Sequence, residues 1–201
     1  MAEWNELEAA EHLFQVLTFI APLSAALQER MGGYLKQENH PKKHLLLRQG
    51  EIARKIFFIR KGFARSFFHD KEGNEHTSWF MGMHDIMISV YSFYTQQPSA
   101  ENIELLEDSM LLSLTWDQVH TIYAEHPEFN YHGRLLTEKY YIQSEERAIL
   151  LRTKKPAERY QRLLQSHPGI LQKASLRQIA SFLGITQETL SRIRAQKSNL
   201  I

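Results

Sequence analysis

Cysteine is missing from all 201 residues, which excludes disulfide scaffolds, thiol catalysis, iron–sulfur clusters and cysteine-ligated zinc. A run of about 18 apolar residues is missing too, so no helix of this sequence is expected to span a membrane. No His-x-His pair occurs, and a metal-binding strand pair would need something of that kind. The opening Ala2-Glu3-Trp4-Asn5-Glu6 is acidic, unlike the basic and then apolar head of a secretory signal. A cytoplasmic location is therefore expected. What remains is ordinary globular material, 43% apolar and 23% charged, enough for one large domain or two small ones.

A net charge of +1 conceals a division. From Arg152 to Ile201 there are ten Lys/Arg against Glu158 and Glu188, a surplus of eight. The first 151 residues carry fourteen Lys/Arg against twenty-one Asp/Glu, a deficit of seven, and the two recover the total. A basic tail on an acidic body suits a nucleic-acid-binding module joined to a regulatory one. A merely solvated basic face has the same composition, so the pattern inside the tail decides.

The first thirty residues read as helical, with Leu7, Leu13, Phe14, Leu17 and Ile20 recurring among acids until Pro22 interrupts them. From His44 to about Thr115 the texture changes to short strands punctuated by turns at Gln49-Gly50-Glu51, Lys61-Gly62, Asp70–Asn74 and Gly82. Ile56–Ile59, Ala64–Phe68, Glu75–Phe80 and Leu111–Leu114 are the strand candidates. Glu72-Gly73-Asn74 is expected to join the second and third of these as a hairpin. Short strands of this kind imply an antiparallel roll or barrel.

Between Pro127 and Pro156 the chain has no proline, and one helix there would reach roughly 35–40 Å. Leu135, Ile142 and Ile149 fall seven apart on one side of it. This stripe suggests packing on a second copy of the chain, although Glu138 and Glu145 spoil a clean coiled coil and burial against the roll would also explain it. The divisions read as 1–126 for the leading helices and roll, 127–153 for the long helix, and 154–201 for the basic tail. The fold class is α+β.

Within the tail, Ser175 and Gln178 form a capping box, and Ile179, Ala180 and Leu183 make the inner face of a short helix. Gly184 supplies a left-handed stop, Thr186 caps a second helix, and Leu190 and Ile193 are that helix's inner face. Small Ala180, Gly184 four residues on, then Leu190 and Ile193 have the spacing of a helix-turn-helix. On that reading Gln187, Glu188, Ser191 and Arg192 face base edges. Ser175, Arg177, Thr189, Arg194 and Lys197 face phosphates. Glu188 has a purely local alternative, orienting Arg192 at i+4.

The roll with Gln49-Gly50-Glu51 and Phe58-Ile59-Arg60-Lys61-Gly62, followed by a long helix and this motif, resembles the catabolite-activator (Crp/Fnr) family of bacterial regulators over about residues 30–197. The resemblance implies a homodimeric transcription regulator, not an enzyme, with a cyclic-nucleotide-binding-like roll and double-stranded DNA as its partner. RNA polymerase is a further partner that it suggests. It places Gln187, Glu188 and Arg192 at the base-reading positions, with Gln187 where arginine is frequent.

The sequence departs from the family where the ligand would sit. The Gly-Glu-Leu turn for the ribose is replaced by Asp85-Ile86-Met87-Ile88-Ser89-Val90. The Arg-Ser/Thr-Ala phosphate segment reads Pro98-Ser99-Ala100, and proline offers neither charge nor N–H. Tight binding of cyclic AMP or cyclic GMP is not expected, and no cofactor is assigned. Lacking cysteine, the chain cannot carry the oxygen-sensing cluster of the other named branch. Ending at Ile201, it is expected to lack the β-hairpin wing as well. Ser89, Ser99, Tyr141, Ser144 and Glu145 form the candidate effector pocket, with packing or solvent as the alternative for each. His69, His76 and His84 fit no zinc pattern. Trp79, Phe80, Tyr91, Phe93 and Tyr94 are read as core or dimer contacts. Two other functions stay open: a cupin-like metal-dependent enzyme, and a protein-interaction module without DNA.

Overall fold

The computed structural model describes residues 6–198. Helices α1 (Glu6–Ile20) and α2 (Ala25–Tyr34) lead, and Ser24 starts the second by accepting the Leu27 N–H at 3.2 Å. Eight strands follow: β1 (Lys36–His40), β2 (Leu45–Leu47), β3 (Lys55–Lys61), β4 (Ala64–His69), β5 (Glu75–Met81), β6 (Ile86–Met87), then after the short helix α3 (Val90–Thr95), β7 (Asn102–Leu105) and β8 (Ser109–Thr115). They form two antiparallel four-stranded sheets, β1-β8-β3-β6 and β2-β7-β4-β5.

The hairpin expected at Glu72-Gly73-Asn74 is present and pairs His69 with Glu75 through Ser66 with Trp79. Gly73 turns at φ +82°, and the Asp70 carboxylate accepts the N–H groups of Glu72 and Asn74. At the β3–β4 turn Gly62 has φ +119°, and any side chain there would run into Ser109. Strand β1 lies ahead of the stretch expected to hold strands. Its Lys-Gln-Glu-Asn-His has no apolar signal and is extended because β8 supplies the ladder, Lys36 opposite Ser113 through His40 opposite Ser109.

The first core fills the roll. Leu17, Leu27 and Met31 of the leading helices pack with Ile59, Met87, Phe93, Leu105 and Leu111, all essentially inaccessible. This is where the apolar spacing of residues 13–20 goes: Leu13, Phe14 and Leu17 are buried against the roll.

Beyond the roll come α4 (Trp116–Glu125), α5 (Phe129–Thr153), α6 (Pro156–Ser166), α7 (Ile170–Lys173), α8 (Leu176–Leu183) and α9 (Gln187–Ser198). The 25 residues of α5 extend for about 37 Å. Pro156 opens α6 at its first position, where a missing N–H costs nothing. A second core joins the roll to the terminal helices. Phe63, Phe80 and Leu106 of the roll pack with Tyr160, Leu163, Ile170, Ile179, Leu183 and Leu190. Alternation along β5 sends Trp79 toward the first core and Phe80 toward the second.

Candidate nucleic-acid interface

Local chemistry sets both helices of the terminal pair. Ser175 Oγ accepts the Gln178 N–H at 3.2 Å, and Gln178 Oε1 accepts the Ser175 N–H at 2.8 Å. Gly184 ends α8 at φ +64°, with the Ile185 N–H reaching back to the Ala180 carbonyl at 3.0 Å. Thr186 Oγ1 then accepts the Thr189 N–H at 3.2 Å and opens α9. Ile179, Ala180, Leu183 and Leu190 are all buried where the two helices meet, and Ile193 packs on them from a half-buried position. A residue larger than Ala180 would push the helices apart.

Burying Leu190 turns the opposite face of α9 outward. Gln187, Glu188, Ser191 and Arg192 are all exposed there. Arg192 Nη2 donates to Thr189 Oγ1 at 3.2 Å. The Glu188 carboxyl is held below the ordinary carboxylate range, first by its own backbone N–H and the Thr186 hydroxyl, and then by the charge of Arg192. Ser175 and Arg177 are exposed, while Thr189 and Arg194 are half-buried. The side chain of Lys197 lies outside the described residues.

The long helix presents Tyr141 (66% exposed), Ile142 (56%) and Ile149 (57%) to solvent, with Leu135 half-buried. Tyr91 and Tyr94 of α3 are exposed as well, whereas Phe93 and Phe80 belong to the cores.

The five effector-pocket candidates are not brought together. Ser89 Oγ and Ser99 Oγ are buried 3.1 Å apart, and the Ser99 hydroxyl also donates to the Glu101 carbonyl at 2.9 Å. Tyr141 and Ser144 line a cleft of about 1080 Å³ between the roll, α5 and the terminal helices. Glu145 is exposed. The three histidines also go separate ways: His76 reaches the Asp70 carboxylate at 2.8 Å, His84 stacks on Phe58, and His69 meets the edge of Phe67. Among the described residues no three His, Asp or Glu side chains gather where a metal ion would fit.

Two arginines not singled out from the sequence line the same cleft. Arg147 of α5 donates from Nη2 to the Phe182 carbonyl at 2.9 Å, and its guanidinium lies 3.8 Å from the centre of the Phe182 ring. Arg159 of α6 donates from Nη1 to the Leu151 carbonyl at 3.1 Å, in the last turn of α5. Their one local signal is negative: neither has an acid three or four residues away.

The geometry of the roll has a counterpart among known families. Residues 37–126 match the family model of the cyclic nucleotide-binding domain. Solved structures share the fold of this domain and of much of the chain around it. FixK2 of Bradyrhizobium japonicum is similar with a TM-score of 0.73 at 18% identity, over 83% of this chain and 85% of that one. The c-di-GMP-responsive global regulator CLP of Xanthomonas campestris gives 0.70 at 13%, over 88% and 92%. A protein of Eubacterium rectale assigned to the crp/fnr regulators gives 0.71 at 16%, over 88% and 85%. No curated protein matches the chain. No described helix is long and apolar enough to cross a membrane.

Proposed function

We propose that this chain is a homodimeric, sequence-specific DNA-binding transcription regulator of the cytoplasm and not an enzyme. The carrying observation is the face of α9: Leu190 is fully buried while Gln187, Glu188, Ser191 and Arg192 stand exposed together. On this reading α8 and α9 are a helix-turn-helix and α9 enters the major groove. Arg192 offers its fork to guanine O6 and N7, Glu188 accepts from cytosine N4, and Gln187 pairs with adenine. Ser175, Arg177, Thr189, Arg194 and Lys197 bind phosphates and fix register.

The stripe of Ile142 and Ile149 on α5 supports pairing with a second copy, since an exposed apolar face of this kind calls for a partner. Two copies would set their α9 helices in successive major grooves about 34 Å apart and read a pseudo-palindrome. The roll is the sensor. Pro98 lacks the charge that a cyclic nucleotide phosphate needs, and the Ser89 and Ser99 hydroxyls are taken up by one another. The effector is therefore something other than cyclic AMP or cyclic GMP. It acts by binding two arrangements of the terminal helices with different affinity.

Selection of bound sequences from random duplex DNA by the intact protein tests the reading. A two-fold symmetric consensus is expected. Recovery of no sequence, even at low salt, overturns it.

A further inference from the structure

We propose that Arg147 and Arg159 form the anion-binding end of the cleft between roll and terminal helices. They would receive the carboxylate, sulfonate or phosphate of a small organic acid whose apolar body lies along Trp79, Leu163 and Phe182. This names a ligand class for the sensor at a place apart from Ser89 and Ser99.

Elsewhere this chain pairs a buried arginine with carboxylates. Arg65 is 4% exposed, and two carboxylates, Glu75 and Glu104, each stand 2.8 Å from it. That arrangement meets the cost of taking a guanidinium out of water. Arg159 is 8% exposed and Arg147 is half-buried, yet among the described residues neither has a carboxylate within 4.0 Å.

What the two arginines have instead are main-chain carbonyls in the last turns of α8 and α5. These carry only a fraction of a charge. A guanidinium has five N–H donors. Among the described residues only Nη2 of Arg147 and Nη1 of Arg159 donate hydrogen bonds, and Arg159 Nε is buried with no hydrogen-bond partner. The acids that do line the cleft are Asp85, Glu101 and Glu146. Asp85 is committed to the Gly82 N–H at 2.8 Å, and Glu146 faces solvent. Burial, and then the like charge of Arg159, hold the Arg147 guanidinium down to about 10. An anion bound in the cleft that both arginines line would relieve this like-charge repulsion.

The cleft has room for more than an inorganic ion. Its about 1080 Å³ lies at the upper end of ligand sites, which are mostly apolar with a few fixed polar groups. Farther along it Ser66 Oγ is buried and also has no partner. Buried orphan polar atoms are rare in folded proteins, and two of them line this one cleft.

The test uses the intact chain and two fluorescent probes: 8-anilinonaphthalene-1-sulfonate, which is anionic, and N-phenyl-1-naphthylamine, its uncharged relative. The anion should bind the unaltered protein at least about tenfold more tightly than the amine, and inorganic phosphate should displace it. In Arg147→Gln and Arg159→Gln the anion should weaken by about tenfold while the amine changes by less than about twofold. Equal affinity of the two probes for the unaltered protein overturns the proposal without requiring any variant to fold. So does a sulfonate affinity that neither substitution changes. DNA takes no part in the measurement, so failure here leaves the reading of α9 standing.

Discussion

The hydroxyl of Ser181 on α8 accepts the Thr77 main-chain N–H at 2.9 Å and donates to the Glu75 carbonyl at 2.8 Å. Strand β5 is an edge strand, and an uncovered edge exposes a row of unpaired donors and acceptors. One helical side chain therefore closes part of that edge and ties the terminal helices to the roll. Arg147 supports the link, since it reaches Phe182 in the last turn of α8.

Ser181→Ala should accordingly destabilise the protein by about 1–2 kcal/mol, because it leaves the buried Thr77 N–H without a partner. Urea denaturation checks this. A midpoint equal to that of the unaltered protein would mean that water replaces the hydroxyl without loss.

Arg192→Ala should lose about 1–3 kcal/mol of discrimination at one base pair of the operator, while Arg177→Ala weakens all duplexes alike. Competition binding with single-base operator variants separates the two roles. Equal weakening on operator and random DNA would remove Arg192 from base reading.

Ile142→Glu changes a side chain that is 56% exposed in the single chain, so chain stability should move by no more than about 0.5 kcal/mol. The dimer should dissociate at least about tenfold more readily, because a charge enters the apolar seam. Sedimentation equilibrium measures it, and an unchanged association constant would place the interface elsewhere.

Burial pushes the Glu38 carboxyl up, but hydrogen bonds from Lys55, Ser113 and His40 outweigh it and bring it from 4.5 to about 2. A folded-state value below the unfolded one stabilises the protein above the unfolded value and ceases to as the carboxyl protonates. This contribution is therefore complete above about pH 4.5 and fades as pH falls toward 2. Thermal melts of Glu38→Gln should lose less stability over that window than melts of the unaltered protein. Parallel curves would show that the carboxylate is not the titrating group.

Cyclic AMP should leave the melting temperature unchanged. A ligand at a hundredfold excess over its dissociation constant would add about 2.7 kcal/mol, so a clear upward shift would contradict the reading of Pro98.

Much of the fold was legible because its signals are local. The Ser175–Gln178 capping box, the left-handed Gly184 and the turn at Gly73 depend on neighbours within a few residues, and the structure has all three. The hairpin between β4 and β5 and the long helix α5 follow from the same short-range chemistry. Strand β1 was not legible, since its polar residues are extended only by pairing with β8, about seventy residues away.

The amino-acid order alone determined where helices start and stop, which turns need glycine, and that the last fifty residues are basic. Periodicity and backbone preference act over a few residues, so they can be read without the fold. Only the tertiary structure decided that Phe80 and Phe63 share a core with Tyr160 and Leu183. It alone seated Ser181 on the edge of β5 and put Arg147 and Arg159 in one cleft with no ion pair to either among the described residues. These relations join positions as many as a hundred residues apart, and they arise because buried polar and apolar groups must find partners wherever the packed chain supplies them.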